Sequence, residues 1–147
     1  MKTGGKKTNI EPLVFRLDEA RISADRFLKA AQHFIGLIKN VTEDVTGGES
    51  VVEWIITAQS GSLVFSATPE SNSVNESSAI KSINALSRGL SSLEKREGRP
   101  RHFSDTSLRH VRELSSLVAG SDSVSGRITI RHGDNVRTIT NSTYNNV

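Results

Sequence analysis

Apolar and polar residues alternate from Ile10 to Leu17, which is the period of a strand with one buried face. Leu13, Phe15 and Leu17 fall on the same side. Pro12 has no backbone N–H to donate to a neighbouring strand. We therefore predict a strand that either lies at a sheet edge or begins after Pro12.

Apolar residues then recur at helical spacing in a first long segment. Ser23 is a candidate N-cap, and the segment should end before Gly47 and Gly48 because glycine favours helix C-termini. The pattern predicts a helix from Ser23 to about Val41. Its apolar stripe consists of Phe27, Leu28, Ala31, Phe34, Ile35 and Ile38.

A second helix is predicted from Ala79 to Glu97, after a polar connector from Ser71 to Ser78 and before the breakers Gly98 and Pro100. Its stripe consists of Ile80, Ile83, Leu86, Leu90 and Leu93.

The third helix has the clearest start. Ser104 is a candidate N-cap, Asp105 favours the helix dipole, and Phe103 stands at staple spacing from Leu108. Gly120 should end the helix. Its stripe consists of Leu108, Val111, Leu114, Leu117 and Val118.

Two β-hairpins complete the pattern. The first joins the alternating runs Val52–Ala58 and Leu63–Ala67 through the short loop Gln59–Ser62, and Pro69 ends it. The second joins Gly126–His132 to Asn135–Thr140 through Gly133-Asp134, a favoured two-residue turn.

The predicted order is β-α-β-β-α-α-β-β, an α+β fold with a five-stranded antiparallel or mixed sheet and three helices on one face. The 147 residues suit one domain. We predict a disordered tail over residues 1–8, a single domain over 9–141, and a polar C-terminal end over 142–147 that resembles a cut linker.

The chain has no cysteine, no apolar run of membrane-spanning length and no apolar signal core. We therefore expect a cytoplasmic protein with no membrane partner and no disulfide.

Motifs for common chemistry are missing. The chain contains no G-x-G-x-x-G, no G-x-x-x-x-G-K-[ST] and no G-x-S-x-G. No two histidines have the i, i+4 spacing of a zinc pair. His102 and His110 flank the start of the third helix near Asp105 and form either a small acid–base or metal cluster or ordinary surface positions. We predict no catalytic residue, no metal and no cofactor.

One spacing points to a different chemistry. Arg26 and His33 are seven residues apart, so they lie on nearly the same side of the first helix. The pair resembles the Arg/His motif of the HEPN ribonucleases, which implies RNA cleavage. That family is all-helical, whereas this helix stands among strands, and the alternative is an ordinary solvated arginine and a partly buried histidine.

Charge is distributed unevenly. Residues 1–79 carry 8 basic and 10 acidic side chains, whereas residues 80–147 carry 11 and 6. Arginine suits bidentate contacts with phosphate or carboxylate, so these positions predict a nucleic-acid or acidic-partner surface, with a solvated charged corner as the alternative. The candidate binding residues are Lys95, Arg96, Arg99, Arg101, Arg109, Arg112, Arg127, Arg131 and Arg137.

The run VVEWIITAQSGSLVFSATPE, with the preceding strand and helix, resembles the N-terminal domain of an uncharacterised bacterial protein family. There a Glu-Trp strand leads into a Gly-Ser hairpin before a long helix. The resemblance covers most of Asn9 to Thr140 and implies a further small β domain beyond it. It implies no catalytic residues.

We therefore expect a non-catalytic module that binds a protein partner or a second copy of itself, with edge strands of the two hairpins as the contact. The alternative is nucleic-acid binding through the Arg-rich C-terminal half.

Overall fold

The computed structural model describes residues 11–17, 24–48, 52–58, 64–69, 76–119 and 128–140. The predicted α+β order is confirmed. The elements are β1 (Leu13–Leu17), α1 (Ala24–Thr46), β2 (Trp54–Ala58), β3 (Val64–Pro69), α2 (Glu76–Glu94), α3 (Asp105–Ala119), β4 (Ile128–His132) and β5 (Asn135–Ile139). Several predicted features lie outside the described residues: the tail 1–8, Ser23, the loop Gln59–Ser62, Leu63, Gly120, Arg127 and the end 142–147.

The five strands form one sheet in the order β2-β3-β1-β4-β5, and every described pairing is antiparallel. The prediction that β1 lies at an edge is wrong, because β1 is the central strand. The other alternative is correct: β1 begins at Leu13, directly after Pro12. Phe15 therefore pairs with Phe65 on one side and with Ile130 on the other.

The helices pack on the sheet face that carries Leu13, Phe15 and Leu17, and α1 contacts both α2 and α3. Phe15 lies at the centre of this layer. Its ring centroid is 4.4 Å from that of Phe34 and 5.6 Å from that of Phe65. None of the described helices is long and apolar enough to cross a bilayer.

The two longer helices differ from prediction at their ends. α1 extends to Thr46 rather than to about Val41, because Thr42 is buried and Val45 packs against the core in the added turn. Gly47, at a φ of 66°, then follows it in the left-handed conformation that glycine tolerates. In α2 the predicted range is shifted: the helix takes in the end of the polar connector and stops at Glu94, before Gly98.

The early end of α2 has a local cause. The amide of Glu97 donates to Ser92 O (2.9 Å) and that of Arg96 donates to Leu93 O (3.1 Å), the two hydrogen bonds of a Schellman motif. Arg96 occupies its left-handed position, at a φ of 56°.

Two apolar positions were assigned to the wrong helix face. Leu28 is 58% exposed and Ile80 is 43% exposed. In each helix a nearby alanine, Ala30 or Ala79, is buried in their place. Phe27, the first residue of the predicted α1 stripe, does pack against the core, whereas Ile80, the first residue of the predicted α2 stripe, does not.

The start of α3 is as predicted. Ser104 Oγ accepts the amide of Ser107 at 3.2 Å, and Phe103 and Leu108 are both buried in the core. The Phe103 ring also lies directly against Gly89 of α2, so it joins the start of α3 to α2.

Candidate interaction surfaces

A histidine pair joins α1 to α3. His33 Nδ1 and His110 Nδ1 are 3.0 Å apart, at hydrogen-bonding distance. Gly36 makes room for the second ring, because a Cβ at that position would lie 2.6 Å from His110 Cε1. Only one ring can donate across this contact when both are neutral.

Burial favours the neutral form of both rings. It lowers the pKa of His33, with Arg109 and Lys29 adding to that effect and Glu113 opposing it. It also lowers the pKa of His110, to which the proximity of His33 contributes. The pair therefore acts as a neutral contact between the helices at neutral pH.

This pair predicts that acid weakens the fold. Unfolded histidine has a pKa of about 6.5. Between that value and the lower pKa values of His33 and His110 in the fold, the unfolded chain binds more protons, so stability falls as pH falls. We expect urea midpoints to decrease as the pH falls from neutral to below about 6.5, the pKa of unfolded histidine, and a His33→Gln/His110→Gln variant to flatten that decrease.

His102→Gln is the matched control, since it leaves the pair intact. An equally steep loss of stability in the double variant would show that the pair is not responsible.

The sequence also offered a small cluster of His102 and His110 near Asp105. Of the two alternatives for His102 and His110, the cluster with Asp105 does not form, because each of the three side chains has a different partner. His102 Nδ1 is 2.9 Å from Asp44 Oδ2, and Asp105 pairs with Arg99. Among the described residues no group of three histidine or carboxylate side chains is arranged to hold a metal ion.

Arg26 and His33 both reach α3 but contact different groups there. An Arg26 guanidinium nitrogen donates to Leu117 O, whereas His33 meets His110. The ribonuclease hypothesis from their spacing stays a prediction.

The predicted basic residues lie in four places. Lys95, Arg96, Arg99 and Arg101 are exposed in and around the α2–α3 connection. The other described members are Arg109 and Arg112 on α3, Arg131 on the outer sheet face, and Arg137 on the inner face.

The pleat separates the last two. Arg131 pairs with Val136 and Arg137 with Ile130, so their side chains point to opposite faces. Arg137 Nε donates to Ser87 O of α2 at 3.0 Å. The structure therefore does not bring the predicted residues to one surface.

The β2 edge is the most apolar unpaired border of the sheet. β2 pairs with β3 alone, and its sequence WIITA contains no charge. Ile55 on the outer face is 47% exposed. On the inner face Trp54 and Ile56 remain half-buried.

The inner side of this edge is thinly covered. An open groove of about 360 Å³ runs between α1 and β2. Its lining is mainly apolar, from Ile35, Ile38, Val52, Trp54 and Ile56, with Lys39 and Glu53 as the charged members. Trp54 Nε1 donates to Thr42 Oγ1 of α1 at 3.2 Å, which fixes the indole beside the groove. Both faces of β2 thus present apolar surface next to unpaired backbone.

The opposite edge is better protected. β5 has the sequence NVRTI, and α2 packs more extensively against it than any helix packs against β2. Val136 is 47% exposed there, like Ile55 on β2. Arg137 adds the kind of charge that discourages edge pairing.

The resemblance to an uncharacterised bacterial family stays a prediction. No protein-family model, no curated protein and no solved structure matches the chain.

Proposed function

We propose that this chain is a non-catalytic self-association module in which two copies join through their β2 edges. The observation that carries the proposal is the exposed edge itself: β2 is uncharged, is paired on one side only, and has incompletely covered apolar residues on both faces. Natural proteins usually protect such an edge with charge, proline or a covering element.

A two-fold axis at Ile56 satisfies the geometry of strand addition. In an antiparallel pairing centred there, Ile56 faces its counterpart and Ile55 faces Thr57 of the second copy. No two like charges oppose each other within the strand, because β2 has none. The two five-stranded sheets would become one sheet of ten strands.

Self-association is favoured over an unrelated partner because β2 is complementary to itself in this register. Each copy also has a groove lined in part by Trp54 and Ile56 next to the proposed β2–β2 interface. Burial of these apolar side chains from water, added to backbone hydrogen bonds, stabilises the dimer.

Nucleic-acid binding, the alternative from the charge pattern, has less support. The described members of the predicted basic set lie in four places, and the outer face of the described strands has no aromatic side chain on which bases stack.

A pair of matched variants tests the proposal. Ile55→Lys places a charge at the β2 edge, and Val136→Lys places the same charge at the β5 edge at a residue of equal exposure. We expect Ile55→Lys to weaken dimerisation at least tenfold, equivalent to about 1.4 kcal/mol, and Val136→Lys to leave it unchanged.

Size-exclusion chromatography with light scattering reads the mass of each variant, and circular dichroism confirms that both fold. A dimer that survives Ile55→Lys but is lost in Val136→Lys would place the contact at the wrong edge and overturn the proposal.

A further inference from the structure

A basic cleft lies between α1, α2 and the α2–α3 connection, away from the β2 edge. Its volume is about 670 Å³, within the range of small-molecule sites. Its remaining lining residues are Val45, Ala85, Gly89 and Pro100. Its polar lining consists of Lys81, Asn84, Arg88, Ser92, Arg101 and His102.

Lys81, Arg88 and Arg101 bring positive charge to the cleft, and the nearby carboxylate of Asp44 is held against His102. Lys81, Asn84 and Arg88 follow one another at spacings of three and four, so they share one side of α2. Arg101 and His102 enter from the α2–α3 connection. Charges of one sign in a cleft with low-dielectric walls focus the electrostatic field on a ligand of opposite sign.

The side chains of Lys81, Arg88 and Arg101, the three cations of the cleft, form no hydrogen bond or ion pair in the part of the chain that the structure describes. Arg99, in contrast, is paired with Asp105, and Arg137 donates to Ser87 O.

His102 adds an imidazole to the lining formed by Lys81, Arg88 and Arg101. His102 has a φ of 69°, a left-handed conformation that costs energy for a residue with a side chain. Its imidazole is held by Asp44 at 2.9 Å, which orients the ring at the cleft. A strained residue oriented by a second side chain is typical of binding sites.

From this geometry we propose that the cleft binds a small molecule carrying several linked phosphate groups. Arginine and lysine are the side chains that recognise phosphate, arginine through a planar pair of donors. Lys81 and Arg88 are seven residues apart, about 10 Å along the helix axis, a span that suits a ligand with several linked phosphates. The proposal does not rest on self-association through β2.

Isothermal titration of the full chain with inorganic tripolyphosphate, at low salt, tests this proposal. Saturable binding is expected, at least tenfold tighter than that of orthophosphate. Arg88→Gln and Arg101→Gln should each weaken it at least tenfold, because each removes a charged hydrogen-bond donor. All the substituted positions are exposed, so the variants should fold.

Arg131→Gln is the matched control, since that arginine lies on the outer face of the sheet, and it should bind tripolyphosphate normally. Absent saturation, or an equal loss in Arg131→Gln, would overturn the proposal. The same titration is repeated with a short single-stranded oligonucleotide. If the oligonucleotide binds more tightly than tripolyphosphate and the same cleft variants abolish its binding, the ligand is a nucleic-acid backbone and the small-molecule proposal is overturned.

Discussion

Replacing Phe15 with alanine is expected to lower the free energy of unfolding by about 4 kcal/mol. Phe15 is fully buried in the central strand, and its ring contacts those of Phe34 and Phe65. Removing the ring loses the transfer of its apolar surface from water and leaves a cavity, and the aromatic contacts are lost as well. Such a loss is a large part of the free energy of unfolding of a typical domain, which is roughly 5–15 kcal/mol.

Urea denaturation followed by circular dichroism measures this change. Val136→Ala is the control on an exposed strand position and should alter the free energy by less than about 0.5 kcal/mol. A loss of less than about 2 kcal/mol in Phe15→Ala would contradict the central position of β1 in the packed layer.

Gly89→Ala is expected to destabilise the protein by about 2 kcal/mol, although alanine normally favours a helix interior over glycine by about 1 kcal/mol. A Cβ at Gly89 would lie 2.2 Å from Phe103 Cε1, in a ring that is only 3% exposed. The ring cannot move aside without disturbing the start of α3, so the overlap costs more than the helix propensity gains.

A double-mutant cycle assigns the cause. In a Phe103→Leu background the smaller side chain relieves the overlap, so Gly89→Ala should cost at least about 1 kcal/mol less than in the original chain. Strictly additive denaturation energies would show that Phe103 is not what excludes a side chain at position 89. Gly36→Ala offers a comparison, since the His110 ring that it meets is half-buried and can rotate more easily.

Short-range patterns were sufficient to predict the order of elements. Alternation marks the inner face of β1, and Ser104 with Phe103 and Leu108 marks the start of α3. The Gly133-Asp134 turn fixes the second hairpin, where His132 pairs with Asn135. Each of these signals acts over a few residues and involves no distant partner.

Features set by tertiary packing were not predictable in this way. The place of β1 at the centre of the sheet depends on β3 and β4, which come much later in the chain. His33 and His110 are 77 residues apart, so no spacing rule connects them. The spread of the basic residues follows from the pleat of β4 and β5 and from the separation of α3 from the sheet's outer face.

The candidate interface could be predicted in part from the sequence. An edge-strand contact was expected from the two hairpins, but the choice between their edges required the sheet order. One signal was available in the sequence: Trp54–Ala58 has no charge, whereas Asn135–Ile139 contains Arg137. The basic cleft was harder to predict from the sequence, because Lys81 and Arg88 come close to Arg101 and His102 only through the path of the α2–α3 connection.

Sedimentation equilibrium of the unaltered chain over a range of concentrations tests self-association through β2 most directly. The expected result is a reversible approach to twice the 16.0 kDa mass of one chain as concentration rises. A mass that stays at that of a single chain up to the highest concentration would contradict the account.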